Sequence, residues 1–210
     1  MSGRGRFIAF EGGEGTGKST QARLLSDALG ARGIDCVTTR EPGGTPGAEA
    51  IRALLLDPAL PQWEPAAEAL LFAAARSDHV AHLIEPALAE GRWVICDRFV
   101  DSSLAYQGGA GGLGEEAIRA LHRVGSGGLL PDVTLLLEAD AQAIETRIRA
   151  RDGDVADKIG GRGTTFHDGV ALAFQQLAEA EPARFRRIDA SGSPEAVHAF
   201  VVESLRVLLP

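Results

Sequence analysis

The fold of this chain is decided by Gly12-Gly13-Glu14-Gly15-Thr16-Gly17-Lys18-Ser19, which fits the phosphate-binding P-loop pattern G-x-x-x-x-G-K-[ST]. The apolar run Phe7-Ile8-Ala9-Phe10 precedes it and has the length and composition of a buried strand. Over residues 20–32, apolar side chains recur at helical spacing. A strand before the loop and a helix after it are the context that a P-loop requires, so we expect a nucleotide phosphate site here.

The residue types of this loop suit the binding of phosphate groups. Glycines allow consecutive backbone N–H groups to point at phosphate oxygens, and the following helix adds the positive end of its dipole. Lys18 places a cation between the β- and γ-phosphates, and Ser19 offers a hydroxyl ligand to Mg²⁺. A glycine-rich turn with a chance lysine is the alternative, and the flanking strand and helix count against it.

Length and composition indicate one globular domain. The 210 residues suffice for a single substantial core, so we expect one domain over residues 1–210. No apolar run approaches the roughly 20 residues of a membrane span, and a formal charge of −8 argues against a nucleic acid partner. We expect a cytoplasmic protein, because Cys36 and Cys96 lie in apolar, strand-like runs and the N-terminus enters a strand rather than a signal peptide.

Strand-like and helix-like segments alternate along the chain. The predicted strands are 6–10, 35–39, 92–96, 133–138 and 185–189. The predicted helices are 19–32, 47–56, 64–90, 114–124, 141–150, 165–179 and 194–208. This alternation predicts an α/β fold with a five-stranded parallel sheet between helices, which binds ligands at the carboxyl ends of its strands. Two glycine-rich segments, 108–114 and 151–164, are expected to be irregular.

Charged residues follow two of the predicted strands. Arg40 comes after the second strand and before a tight turn, where its planar fork would suit a phosphate. A surface arginine is the alternative reading of that residue. Asp97 and Arg98 close the third strand, where an acidic residue beside a P-loop strand supports Mg²⁺ binding. Without the P-loop, an ordinary strand-end pair would explain these two residues equally well.

The long predicted helix brings an aromatic ring and a guanidinium group to one face. Phe72 and Arg76 are four residues apart, so their side chains are neighbours on the helix surface. This arrangement suits the stacking of a base and hydrogen bonding to its edge. The alternative is that Phe72 belongs to the core, as a lone aromatic residue usually does.

Together these features resemble the thymidylate kinase family over nearly the whole chain. The matching blocks are residues 10–20, 40–44, 71–76 and 97–108. A P-loop alone marks a superfamily, whereas the second and fourth blocks, in this order and spacing, are more specific. The resemblance implies a three-layer P-loop fold, transfer of the γ-phosphoryl group of ATP to dTMP with Mg²⁺ as cofactor, and a homodimer.

The resemblance also assigns roles to individual residues. Arg40 and Arg98 would hold the dTMP phosphate, and Asp97 would act through Mg²⁺ together with Ser19. Phe72 would stack on the thymine ring, Arg76 would bind its carbonyl edge, and Ser103 would help to recognise the base. Tyr106 would lie against the deoxyribose, and Glu14 would lie near the 3′-hydroxyl. The residues that would bind ATP are Gly12, Gly13, Glu14, Gly15, Thr16, Gly17, Lys18, Ser19, Thr20 and, near adenine, Ser191.

The basic segment of about residues 147–164 is expected to be a lid that closes over ATP. Because position 15 is glycine, Lys18 is the only cation of the P-loop, and the resemblance to bacterial members implies a further cation from the lid. Relatives often have Asp-Arg and an acidic residue in this lid, whereas this chain has Asp157-Lys158-Ile159. The expected catalytic residues are Lys18, Asp97, Arg98, Arg149 and Arg151, with Arg162 and Lys158 as alternatives in the lid.

Three alternative functions can be distinguished by the residues that each would require. A kinase for another nucleoside monophosphate would not need the set of residues expected to contact thymidine, which is Phe72, Arg76, Ser103 and Tyr106. A GTPase switch needs an Asn-Lys-x-Asp motif, and this chain contains no asparagine. A nucleotide-binding regulator without turnover would not need Lys18, Asp97 and Arg98 together.

Overall fold

A five-stranded, all-parallel sheet forms the centre of the molecule. The computed structural model describes residues 3–150 and 159–209. Its strands are β1 (Phe7–Glu11), β2 (Cys36–Arg40), β3 (Trp93–Asp97), β4 (Val133–Glu138) and β5 (Phe185–Asp189). They lie in the order β2-β3-β1-β4-β5, and every neighbouring pair is parallel. The predicted α/β fold with a five-stranded parallel sheet is confirmed.

Helices cover both faces of this sheet. They are α1 (Lys18–Gly30), α2 (Pro46–Leu56), α3 (Pro65–His79), α4 (Glu85–Ala89), α5 (Val100–Ser103), α6 (Glu115–Ser126), α7 (Ala141–Ala150), α8 (Thr164–Ala180) and α9 (Pro194–Ser204). Two π-helical turns join this set, one linking α3 to α4 and one extending α5 to Ala110. No helix in residues 3–150 or 159–209 has the length and apolar character needed to cross a bilayer.

The central strand β1 explains why the fold has two cores. Every residue of β1 is buried, and alternate side chains point to opposite faces, as the pleat of a strand requires. Phe7 and Ala9 pack into a core with residues of α3, α8 and the turn after α5. Ile8 and Phe10 pack into a second core with α1 and α9. A strand that is apolar on both faces is typical of a parallel sheet covered by helices on each side.

Two details of the sequence-based assignment differ from the structure. Residues 108–110 are not irregular, because they belong to the π-helical turn Leu104–Ala110. A Cβ at Gly109 would overlap the side chain of Ala173, so glycine at this position allows close packing against α8. The helix predicted over 64–90 also contains a π-helical turn at Val80–Ile84. A glycine that indicates a loop in the sequence therefore serves tertiary packing in the fold.

A buried ion pair ties the segment after β3 to the opposite side of the sheet. The carboxylate of Asp101 accepts hydrogen bonds from Arg184 Nη1 at 2.6 Å and Nη2 at 2.8 Å. Thr134 Oγ1 of β4 donates to the same carboxylate at 3.0 Å. Asp101 is fully buried, and Arg184 is also held by Glu181 at 2.8 Å. This network fixes α5 relative to β4 and β5.

We expect Asp101→Ala to destabilise the fold strongly. The variant removes two hydrogen bonds of the buried Arg184 guanidinium and leaves Glu181 as its remaining carboxylate partner, and breaking a buried ion pair by removing one partner costs about 3–5 kcal/mol. Urea unfolding of the variant and the parent chain measures the difference. Asp27→Ala is the matched control, since its pair with Arg23 is exposed on both sides and such pairs contribute at most about 1 kcal/mol. Equal losses in the two variants would contradict this account.

Candidate functional site

The carboxyl ends of three neighbouring strands bring the motif residues to one edge of the sheet. Phe10 of β1 lies in register with Asp97 of β3, and Asp97 lies in register with Arg40 of β2. The P-loop therefore begins beside both charged residues. A cleft of about 730 Å³ runs along this edge, and it is lined by residues from all the predicted motif blocks, including Lys18, Arg40, Phe72, Arg76, Arg98 and Tyr106.

The P-loop forms a tight turn between β1 and α1. Gly12 has a φ of 134°, and a Cβ there would overlap the backbone oxygen of Leu137, so this position requires glycine. The Lys18 ammonium donates to Gly12 O at 3.1 Å and to Gly13 O at 2.6 Å. Burial, together with the nearby charge of Arg98, lowers the pKa of Lys18 to about 8. A phosphate oxygen in the turn would favour the charged form of Lys18 and compete for these hydrogen bonds.

Two side chains with oxygen atoms meet at the exposed start of α1. Ser19 Oγ donates a short hydrogen bond to the carboxylate of Asp97. The hydroxyl comes from the first turn of α1, and the carboxylate from the last residue of β3. The fold thus brings together the two residues that the sequence predicted as the metal set.

Arg98 has an unusual backbone conformation that turns its side chain over the P-loop. Its φ of 70° lies in the left-handed region, the only such value for a non-glycine residue in the described part of the chain. The backbone N–H of Arg98 donates to Phe10 O at 2.9 Å. Its guanidinium donates to Gly12 O at 3.0 Å and to Glu14 at 2.5 Å. Strained conformations of this kind persist where surrounding contacts hold them, and they cluster at functional sites.

A buried carboxylate holds the segment that follows Arg98. Glu11 accepts hydrogen bonds from Phe99 N at 2.8 Å, Ser102 N at 3.1 Å and Ser102 Oγ at 2.6 Å. These donors lie at the N-terminal end of α5, where backbone N–H groups have no partner within the helix. Burial, together with the charge of Asp101, raises the pKa of Glu11 to about 7.

The opposite wall of the cleft carries the predicted base-contacting residues. Phe72 is half-buried at the cleft surface, one helical turn before Arg76. Arg76 is buried and donates from Nη2 to Ser103 Oγ at 2.9 Å. The Arg98 guanidinium lies 5.2 Å from the centre of the Tyr106 ring, and the Tyr106 hydroxyl reaches Glu14 at 3.5 Å. The structure therefore places the predicted base and phosphate residues in one continuous cleft.

Arginines line the entrance of the cleft at the end of β2. Arg40 is largely exposed and pairs with Glu49 at 2.9 Å. Arg52 of α2 lines the same cleft and donates to Pro42 O at 2.7 Å. Sequence reasoning predicts Arg40 and misses Arg52, because nothing in the local pattern of a helix distinguishes Arg52 from a solvated surface residue.

Known proteins match this chain over nearly its whole length. The model of the thymidylate kinase family matches residues 10–201. The chain is 59% identical over 208 residues to a protein named thymidylate kinase from Rhizorhabdus wittichii, covering 98% of this chain and 99% of that protein. The chain belongs to the thymidylate kinase family. It is also 49% identical over 206 residues to a thymidylate kinase from Bradyrhizobium diazoefficiens, covering 98% and 90% of the two chains.

Of the four predicted lid cations, Arg162 is the one whose side chain the described part of the structure includes. Arg162 pairs with Glu68, and its guanidinium lies 4.6 Å from the centre of the Phe166 ring. The side chain of Arg149 lies outside the described part of the structure. Arg151 and Lys158 also lie outside the described residues.

Arg147 connects two parts of the predicted ATP site. Its Nη2 donates to Ala190 O at 2.6 Å and Gly192 O at 2.8 Å, on either side of Ser191. Its Nη1 reaches Thr16 O of the P-loop at 3.5 Å. Ser191 Oγ in turn accepts from Asp140 N at 3.2 Å. The loop that the family resemblance places near adenine is thus held against the P-loop by Arg147.

Sequence reasoning assigns no role to several buried polar residues around the cleft. Glu41 accepts from Arg76 Nε at 2.7 Å, and Glu68 accepts from Gln107 Nε2 at 2.9 Å. Glu11 and Glu41 lie inside the blocks that match the family, so the match is an available signal for both. Glu68 lies outside those blocks, and its partners Gln107 and Arg162 are 39 and 94 residues away, so no local pattern indicates them.

We expect Glu11→Gln to change how stability depends on pH. The pKa of Glu11 is raised in the folded state, so its contribution to stability is complete below about pH 4.5 and is lost as pH rises through about 7. Between these two pH values, each pH unit lowers the free energy of unfolding by at most about 1.4 kcal/mol. Glutamine keeps an acceptor for α5 and removes the charge. Relative to the variant, the parent chain should therefore lose stability from pH 5 to 7.5.

Urea unfolding across this pH range measures the effect. Glu116→Gln is the control, because Glu116 is exposed on α6. If the free energy of unfolding changes with pH equally in the parent chain and in Glu11→Gln, the raised pKa of Glu11 is refuted.

Proposed function

We propose that this chain transfers the γ-phosphoryl group of ATP to dTMP, giving dTDP and ADP, as a single kinase domain. The observation that carries the proposal is the continuous cleft that joins the P-loop to the wall of Phe72, Arg76 and Tyr106. One end suits the triphosphate, and the other suits a pyrimidine nucleotide. Membership in the thymidylate kinase family agrees with both ends.

The proposed chemistry needs positioning and charge neutralisation rather than a nucleophilic side chain. Phosphoryl transfer proceeds with the attacking and leaving oxygens in line, so holding two phosphates in register supplies much of the rate. Lys18 would hold the β- and γ-phosphates of ATP. Arg98 lies between the P-loop and Tyr106, so it would hold the acceptor phosphate against the transferred group. Arg40 would bind the same phosphate from the entrance.

The residues at the start of α1 fit Mg²⁺. Ser19 and Asp97 present a hydroxyl and a carboxylate side by side, and Mg²⁺ prefers oxygen ligands, commonly one or two from the protein and the rest from phosphates and water. These two residues would hold the ion beside the P-loop. When bound, Mg²⁺ neutralises charge on the β- and γ-phosphates.

The thymine base would lie between Phe72 and the residues that follow β3. Phe72 offers a ring for stacking, and the buried guanidinium of Arg76 offers donors to a carbonyl of the base. Cytosine has an amino group where thymine has a carbonyl. A buried donor facing that amino group would lose its acceptor, which costs about 1–3 kcal/mol. Tyr106 would lie against the deoxyribose and Glu14 near its 3′-hydroxyl.

We further propose that the chain works as a cytoplasmic homodimer. Leu70 on α3 and Val124 on α6 are 56% and 90% exposed, and these two helices pack against each other near Gly125. Exposed apolar side chains on adjoining helices favour an interface between subunits. The free thiols of Cys36 and Cys96 suit a reducing compartment.

The proposed activity predicts a clear order of acceptors. With ATP and Mg²⁺, kcat/KM should be highest for dTMP and lower by roughly tenfold or more for dCMP, from the cost of an unpaired buried donor. Selectivity against dGMP should also be strong. Selectivity against dUMP should be weaker, because one methyl group is worth only about 1–3 kcal/mol. A coupled assay of ADP release measures all four.

Lys18→Ala is the control for this assay. Loss of one well-placed electrostatic group typically lowers the rate by about 10²–10³-fold, and Lys18 contacts the P-loop rather than the cores. Near-parental kcat in the folded variant would refute the P-loop role. Equal kcat/KM for dTMP and dCMP would refute the acceptor assignment in favour of a kinase for another nucleoside monophosphate.

A separate prediction concerns the lid. We propose that a cation of this segment reaches the γ-phosphate during transfer, with Arg149 and Arg151 as first candidates and Arg162 and Lys158 next. Single alanine substitutions at these four positions should identify one that lowers kcat by at least about tenfold while changing the KM for dTMP less. Arg123→Ala on the exposed face of α6 is the control. If all four variants keep kcat within about twofold, Arg98 or Lys18 supplies the transfer cation alone.

A further inference from the structure

Four polar side chains form a continuous hydrogen-bonded chain beneath the base end of the cleft. Thr39 Oγ1 lies 2.8 Å from His79 Nε2, and His79 Nδ1 lies 3.1 Å from Glu41 Oε1. The other oxygen of Glu41 accepts from Arg76 Nε at 2.7 Å. Because a carboxylate only accepts hydrogen bonds, His79 donates from Nδ1. The chain therefore runs from β2, through α3, to the guanidinium at the cleft.

The two oxygens of Glu41 have separate tasks. One binds His79 and the other binds Arg76, so the carboxylate plane is fixed from both sides. The terminal torsion of a glutamate is otherwise broad. Arg76 is held by Glu41 at Nε and by Ser103 at Nη2, which sets the plane of the guanidinium. A rotated Glu41 would release one of these two constraints.

His79 is buried and closely packed against the turn that follows β2. The side chain of His79 is fully buried, so it touches neither solvent nor a ligand in the cleft. A Cβ at Gly44 would overlap both Thr39 Oγ1 and His79 Nε2. Gly44 has a φ of 90°, which also favours glycine. The turn after β2 thus accommodates the hydroxyl–imidazole contact.

We propose that His79 is a positioning residue for recognition of the acceptor base. It fixes the Glu41 carboxylate, which in turn aims the Arg76 guanidinium at the base. This inference rests on the proposed function, in which Arg76 contacts thymine. His79 acts only through Glu41, so it should govern the binding of dTMP and leave the binding of ATP unchanged.

The test separates the two nitrogens of the imidazole. In His79→Asn, the side-chain amide ends near the position of Nδ1 and keeps a donor for Glu41. In His79→Gln, the amide reaches the position of Nε2, keeps the contact with Thr39 and loses the donor for Glu41. Both variants are polar and similar in size. A merely structural role would be affected by both, whereas a positioning role distinguishes them.

We expect His79→Gln to raise the dissociation constant and the KM for dTMP by about tenfold, the effect of losing one hydrogen bond to a charged group. It should also lower the preference for dTMP over dCMP. His79→Asn should stay within about threefold of the parent chain in both respects, and the KM for ATP should stay within about twofold in each variant. Calorimetric titration with dTMP and the coupled assay measure these values.

Two controls keep the outcomes distinct. His82→Gln alters a histidine of the same helical segment that is 69% exposed, and it should change nothing. If His79→Gln does not fold, Thr39→Val removes only the hydroxyl that holds Nε2, and it should raise the KM for dTMP by about threefold, less than the loss of a charged hydrogen bond.

Equal behaviour of the two His79 variants would overturn the proposal. So would a KM for dTMP that stays at the parental value in His79→Gln or, if that variant does not fold, in Thr39→Val. Absence of dTMP turnover in the parent chain would instead refute the proposed function. The two failures are therefore distinguishable, because the parent chain is measured first.

Discussion

The arrangement of this site depends on one buried contact, between the carboxylate of Glu11 and the start of α5. Glu11 ends the strand that leads into the P-loop, and its three hydrogen bonds bind the segment that follows β3. The two strand ends are thereby held together directly beneath the cleft. Arg98 lies between them and takes a left-handed conformation that directs its guanidinium to the P-loop. The Glu11 contact joins the hydrogen bonds of Arg98 to Phe10, Gly12 and Glu14 in holding this strained backbone.

Other buried carboxylates of the fold also hold neighbouring side chains in place. Glu41 orients Arg76, Glu68 holds Gln107 and Arg162, and Asp101 anchors Arg184. Burying a carboxylate is costly unless its oxygens are well hydrogen-bonded, and in each of these cases both oxygens or several donors are engaged. The acidic composition of the chain therefore does not oppose the binding of phosphates. Glu41 fixes Arg76, which lines the cleft together with Lys18, Arg40 and Arg98, so the cleft itself carries several cations.

Much of this architecture can be predicted from local patterns. The sequence places all five strands within one residue of their observed bounds, because continuous apolar runs of this length between helices are typical of a covered parallel sheet. The P-loop, Arg40, Asp97 and Arg98 are expected at the carboxyl edge of that sheet, and they do meet there. The helical segment after β3 escapes prediction, because its glycines indicate a loop when read alone. Packing against α8 decides its conformation instead.

The sequence by itself determined the sheet, the P-loop and the edge at which the charged residues gather. These features follow from spacing, strand direction and a motif whose residues are neighbours in the chain. Only the tertiary structure decided which partner each polar side chain binds. Arg147 binds the carbonyls around Ser191, and Arg162 binds Glu68, although both belong to one basic segment. His79 reaches Glu41 across 38 residues. Such pairings depend on side-chain direction after the helices have packed, and no local pattern encodes that direction.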